Sequence, residues 1–115
     1  MTIRIEDVPD MNFSDVATGG QLQPVSPGDI LLHDFMEPMK LSANALAKAL
    51  CVPTNRITGI VKRTRGITAD TAYRLGLALN TTPEFWMNLQ TQYELEVTQR
   101  TTSNKITREV HRLAA

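Results

Sequence analysis

ANALAKALCVPTNRITGIVKR, the stretch from Ala43 to Arg63, decides the fold. In its first half Leu46, Ala47 and Leu50 fall on one helical face, and Ser42 stands before them as an N-cap. Cys51-Val52-Pro53 breaks the pattern, because a residue preceding proline is pushed out of the helical region. A second helix restarts at Pro53 or Thr54, with Ile57, Ile60 and Val61 inward and Arg56, Lys62 and Arg63 outward. Two short helices joined this tightly need a small residue where their backbones approach, and Ala47 supplies it. The turn comes four positions later at Cys51, and Ile57, ten positions after Ala47, can lock the second helix onto the first. Leu46, Leu50, Val52 and Ile60 fill the remaining inward positions.

Helix punctuation continues on both sides. Ser26-Pro27-Gly28-Asp29 offers an N-cap serine, a first-turn proline and an acid placed almost as in a capping box. Ile30, Leu31, Asp34-Phe35 and Pro38 then predict a helix of about ten residues that stops near the proline. After a turn at Arg65-Gly66, Thr68 caps another helix, with Asp70 in its first turn and Ala72, Leu75, Ala78 and Leu79 as its inner stripe. Asn80 suits the left-handed position behind it. Thr82-Pro83-Glu84 opens a fifth helix through Phe85, Trp86, Leu89 and Tyr93 as far as Val97. The expected fold is all-α, a five-helix body over residues 26–97. Residues 1–25 form an arm in which Ile3 and Ile5 give a short strand pattern, and residues 98–115 form a tail able to make a short helix over 106–113.

The charge is zero in sum and uneven along the chain. Residues 1–39 hold one Arg against seven acids, residues 40–74 hold seven bases against Asp70 alone, and residues 75–115 hold four of each sign. The basic block coincides with the two-helix unit, which is the arrangement of a helix-turn-helix. The second helix of such a unit enters the major groove of duplex DNA with its N-terminal residues near base edges. Thr54, Asn55, Arg56, Thr58 and Gly59 are the outward positions there. Asn pairs with adenine, Arg with guanine, and a Thr methyl meets the thymine methyl. Gly59 costs about 1 kcal/mol in mid-helix relative to Ala; close approach of DNA or close packing would each explain it. Lys62, Arg63 and Arg65 fall where phosphates would pass, a positioning role.

Other function classes find little support. No apolar run approaches the roughly 18 residues that span a membrane, and no signal peptide is expected, so a cytoplasmic protein is. Cys51 is the single cysteine and the two histidines are distant, so no metal site and no cofactor is expected. No nucleophile arrangement or phosphate loop is recognisable, and no enzyme is expected. Met36, Met39 and Met87 read as gap fillers, and His33 and His111 as surface residues.

With the helix that follows it, the helix-turn-helix resembles the Cro/cI-like, or XRE, group, whose fold is lambda-repressor-like. The flanks narrow the resemblance. Pro27-Gly28-Asp29-Ile30-Leu31 resembles the "HPGE-x-L" opening of the HigA-type antitoxins, and Thr82-Pro83-Glu84-Phe85-Trp86-Met87-Asn88-Leu89-Gln90 is similar to their "TPEFWLNLQ" stretch. The likeness covers about residues 24–97. It implies a homodimer that neutralises a RelE-like, HigB-type mRNA-cleaving toxin and represses its own operon at a palindromic, double-stranded operator. Phe85, Trp86, Leu89 and Tyr93 are expected in the core or at the dimer contact. Ile3 and Ile5, which can add a strand to a partner sheet, and the acidic first helix with Asp29, His33, Asp34 and Glu37 are expected to face the toxin. A repressor without a toxin partner and an interaction module that has lost DNA binding are the competing readings. Cys51 stands where the family often has glycine, Pro53 replaces the usual Ser or Thr cap, and the arm is longer than usual.

Overall fold

The computed structural model describes residues 23–114; Ile3, Ile5 and the rest of the expected arm before Gln23 lie outside the described residues. Among the described residues there are six helices and no strand. The first, α1, runs without a break through Pro27–Ile30, a wider π-helical segment Leu31–Met36, and Glu37–Met39. Then come α2 (Ala43–Leu50), α3 (Thr54–Val61), α4 (Ala69–Leu79), α5 (Pro83–Thr101) and α6 (Ser103–Glu109).

The expected caps form. Ser26 Oγ accepts the Asp29 N–H at 3.1 Å while the Asp29 carboxylate accepts the Ser26 N–H at 3.2 Å, a complete capping box. Ser42, Thr68 and Thr82 each accept the N–H three residues on. α1 outlasts Pro38 by one residue. A proline in mid-helix crowds the carbonyl four residues back and lacks an N–H. The wider turn before it relieves that crowding, and the Glu37 N–H reaches the Leu32 carbonyl, five residues back.

Four helices stop by the same device, a residue in the left-handed region: Lys40 (φ 56°), Cys51 (φ 58°), Arg63 (φ 65°) and Asn80 (φ 58°). In each the next N–H reaches back to the helix, Leu41 to Met36, Val52 to Ala47, Thr64 to Gly59 and Thr81 to Gly76, at 2.8–3.0 Å. These are Schellman closures, which satisfy carbonyls the helix leaves unpaired. None of the four residues is a glycine, so each carries a steric cost of about 1 kcal/mol.

The core gathers Leu31, Met36, Leu46, Ala47, Leu50, Ile57, Ile60, Ile67, Ala72, Leu75 and Trp86, all buried. α2 and α3 bury the faces that their spacing predicts. On α4 the inner stripe is Thr71, Ala72, Leu75 and Gly76; Ala78 is exposed and Leu79 half-buried, because Gly76 lies against the Thr81–Pro83 backbone and turns that face inward. α5 reaches Thr101, past the expected end at Val97, but its only buried side chains are Trp86 and Gln90. The expected tail helix starts earlier, at Ser103, ends at Glu109 and buries no residue.

Candidate nucleic-acid interface

α3 owes its placement to both flanks. Pro53 occupies its N-cap position with extended backbone (φ −64°, ψ 147°) and offers no side-chain cap. Thr54 instead ties the helix start to α2, its hydroxyl donating to Asn44 Oδ1 at 3.0 Å. The far end meets α1 closely: a Cβ on Gly28 would collide with the Ile60 carbonyl and lie 2.9 Å from Val61 Cα. Ile57 and Ile60 bury the inner face.

The outer face presents Asn55, which is exposed, with Arg56 and Thr58 half-exposed beside it. Lys62 and Arg65 are exposed at the helix end with no ion-pair partner among the described residues. Arg56 is engaged: its Nη1 donates to Asp70 Oδ2 at 2.8 Å. Asp70 also accepts from Arg74 Nε at 2.9 Å, and the two guanidinium groups, Arg74 first, hold its carboxyl below the usual carboxylate range. Arg74 in turn donates from Nη1 to the Leu50 carbonyl at the end of α2 (2.8 Å).

Arg63, expected beside phosphate, is engaged within its own chain. Its left-handed backbone turns the side chain back toward α1, where Nη2 donates to both oxygens of Asp29 at 3.0 and 2.8 Å and Nε donates to Ser26 Oγ at 3.3 Å. It therefore clamps α3 to α1. Partial burial alone would raise the Asp29 pKa, but bonds from Arg63 and the Ser26 N–H and the charge of Arg63 outweigh it and lower the value. Gly59 is closely packed: a Cβ there would lie 3.1 Å from Arg65 Cβ, where the Schellman turn folds back.

The other expected contacts are also redistributed. Asp29, spent on Arg63, is not an open acid for a partner. His33 Nδ1 and Glu37 Oε1 pair at 3.0 Å on the exposed side of α1, and the bond to Glu37 raises the His33 pKa; Asp34 is exposed nearby. Trp86 cannot serve a dimer contact, because it is fully buried in its own chain. Its Nε1 donates to Thr81 Oγ1 at 2.7 Å, and its ring packs on Phe35 and Phe85 at centroid distances of 5.2 and 4.9 Å. Phe85 remains 38% exposed, and Leu89 and Tyr93 are half-buried.

Sequence reasoning missed three features. Tyr73 and Leu77, one turn apart on α4, are 65% and 85% exposed. Gln90 is buried and holds the loop after α3, accepting the Ile67 N–H at 2.8 Å and donating to Glu94 at 2.7 Å. Within that otherwise exposed loop only Ile67 is buried, and its apolar character was the one hint of an anchor there. The Arg56–Asp70 pair joins residues fourteen positions apart, and only the isolation of Asp70 among bases drew notice to it.

Comparison with known proteins agrees with this geometry. The helix-turn-helix family profile matches residues 32–86. Virulence-associated protein I of Dichelobacter nodosus is 45% identical over 80 residues, 70% of this chain and 74% of that relative. A solved addiction-module antidote protein of the HigA family from Coxiella burnetii is 46% identical, with a TM-score of 0.72 over 79% of this chain and 99% of that one. The Pseudomonas aeruginosa antitoxin HigA, solved with the higBA promoter, is 39% identical, with a TM-score of 0.74 over 80% of this chain and all (100%) of that one.

Proposed function

The chain belongs to the HigA-type antitoxins of the helix-turn-helix (XRE) family, and from that premise we propose that it binds the operator of its own operon and represses that operon. In this reading it also holds a HigB-like, mRNA-cleaving toxin inactive by direct contact. The observation that carries the DNA half is the outer face of α3. Asn55, Arg56 and Thr58 lie at its leading end, where base edges come within reach, and Lys62 and Arg65 follow where a phosphate strand passes. The protein works as a homodimer that sets two α3 helices about 34 Å apart. Its contact draws on the exposed apolar groups of α4 and α5, Tyr73, Leu77 and Phe85, with Leu89 and Tyr93 beside them. The reading gives the protein no catalysis and places it in the cytoplasm, on the nucleoid when bound to DNA.

A gel shift on the duplex upstream of its own operon tests the DNA half. Joint replacement of Arg56 and Lys62 by Ala should abolish the shift and leave the oligomeric state unchanged; an undiminished shift would reject this face. Wild-type affinity should fall steeply with salt, because released counterions drive phosphate contacts. Co-expression with the neighbouring gene tests the toxin half: growth rescue and co-purification are expected. Rescue lost on replacing His33, Asp34 and Glu37 would assign the surface to α1, while repression without any rescue would leave a repressor alone.

A further inference from the structure

Asp70 is the only acid from Lys40 to Arg74, and it stands in the first turn of α4 beside a face built for phosphates. A carboxylate there weakens attraction to any duplex, whatever its sequence. Its bonding offers a compensating role. One oxygen, Oδ2, receives both Arg56 Nη1 and Arg74 Nε. Arg74 is anchored at its other side to the Leu50 carbonyl. The chain Leu50–Arg74–Asp70–Arg56 thus links the end of α2, the start of α4 and the reading helix α3. Arg56 is held by one corner of its guanidinium. A guanidinium is a planar fork of donors, so fixing one corner orients the rest. Among the described residues, no hydrogen bond takes the Nε or Nη2 donors of Arg56.

We propose that Asp70 is a positioning residue for base recognition: it orients the guanidinium of Arg56 toward a guanine edge and so raises sequence discrimination while lowering affinity for DNA in general. The proposal rests on the DNA-binding reading above. It differs from two simpler roles. An acid that only complements the α4 helix dipole would affect stability and not discrimination. An acid that only repels phosphate would weaken every duplex alike.

Fluorescence anisotropy of the full chain at one fixed salt concentration separates these roles. One duplex carries the region upstream of its own operon; the other has the same length and base composition in shuffled order. In Asp70→Ala, binding to the shuffled duplex should tighten and binding to the upstream duplex weaken, so that the ratio of affinities falls about tenfold. Asp70→Asn keeps an acceptor oxygen without the charge and should give an intermediate ratio. In an Arg56→Ala background, adding Asp70→Ala should leave the ratio where Arg56→Ala had put it. An equal gain on both duplexes, or a further fall of the ratio in the Arg56→Ala background, overturns the assignment. Failure of the wild-type protein to distinguish the two duplexes overturns the DNA-reading itself, a separate outcome. The urea midpoint of each variant checks that the fold survives.

Discussion

At its C-terminal end α3 meets the backbone of α1 at Gly28; at its N-terminal end side-chain pairs tie it to α2 and α4. The Ile60–Val61 backbone sits on Gly28 with no room for a methyl group, and Arg63 doubles the contact through Asp29 and Ser26, itself buried. At the other end Thr54 leans on Asn44 and Arg56 on Asp70, exposed pairs that water can replace. Backbone contact fixes where a helix lies, because neither side can yield without moving the fold. Exposed side-chain pairs contribute little stability, but they decide where donors point. Damage at the two ends should therefore be read in different measurements.

The largest expected effect is at the packed end. Gly28→Ala puts a methyl group into the Ile60 carbonyl and should cost about 3 kcal/mol in urea unfolding. A loss under about 0.5 kcal/mol, the size of an ordinary surface change, would show that α3 is not anchored there. Next is the turn that feeds the other end. Cys51→Gly relieves a left-handed residue with an exposed side chain and should stabilise by about 1 kcal/mol, raising Tm by roughly 4–8 °C. No rise in a thermal melt would mean the turn bears no strain.

A smaller effect is set by pH. The Asp29 carboxyl is lowered below its ordinary 3.8 in the folded chain, so its contribution is fully present above that value. It is lost as pH falls through the lower folded value, because the unfolded chain then binds the proton more readily. Asp29→Asn should flatten this acid limb of the stability curve, and an unchanged limb would remove the clamp from the account. The smallest stability change is expected for Arg56→Ala, which should leave the urea midpoint in place while weakening binding to the upstream duplex by about tenfold. A large stability loss there would erase the contrast between the two ends.

The sequence carried most of the local structure. Ser26, Ser42, Thr68 and Thr82 announce their helices because capping is settled within four residues. Leu46, Ala47, Leu50, Ile57 and Ile60 announce the inner faces because helical spacing is also local. What failed was long in range. Arg63 reads like its neighbour Lys62 until the backbone reverses at φ 65° and carries it to Asp29, thirty-four positions back. Trp86 and Phe85 look equivalent as adjacent aromatics. The Thr81 hydroxyl gives the indole N–H a partly buried partner, so the larger ring goes inside while Phe85 keeps an exposed edge. Spacing finds the face of a helix but not which neighbour covers it, which is why Tyr73 and Leu77 gave no signal of their exposure.

The four left-handed helix ends are not equivalent as targets for change. At Lys40 and Cys51 the side chain is exposed and bonds to no other side chain among the described residues, so glycine would ease the backbone and remove little else. Asn80 already tolerates the conformation better than most residues. At Arg63 the awkward backbone and the tether to α1 belong to one residue, so glycine there would trade local ease for a loosened α3. A more heat-resistant form of this protein is therefore open through two of its helix ends, and closed at the one that ties α3 to α1.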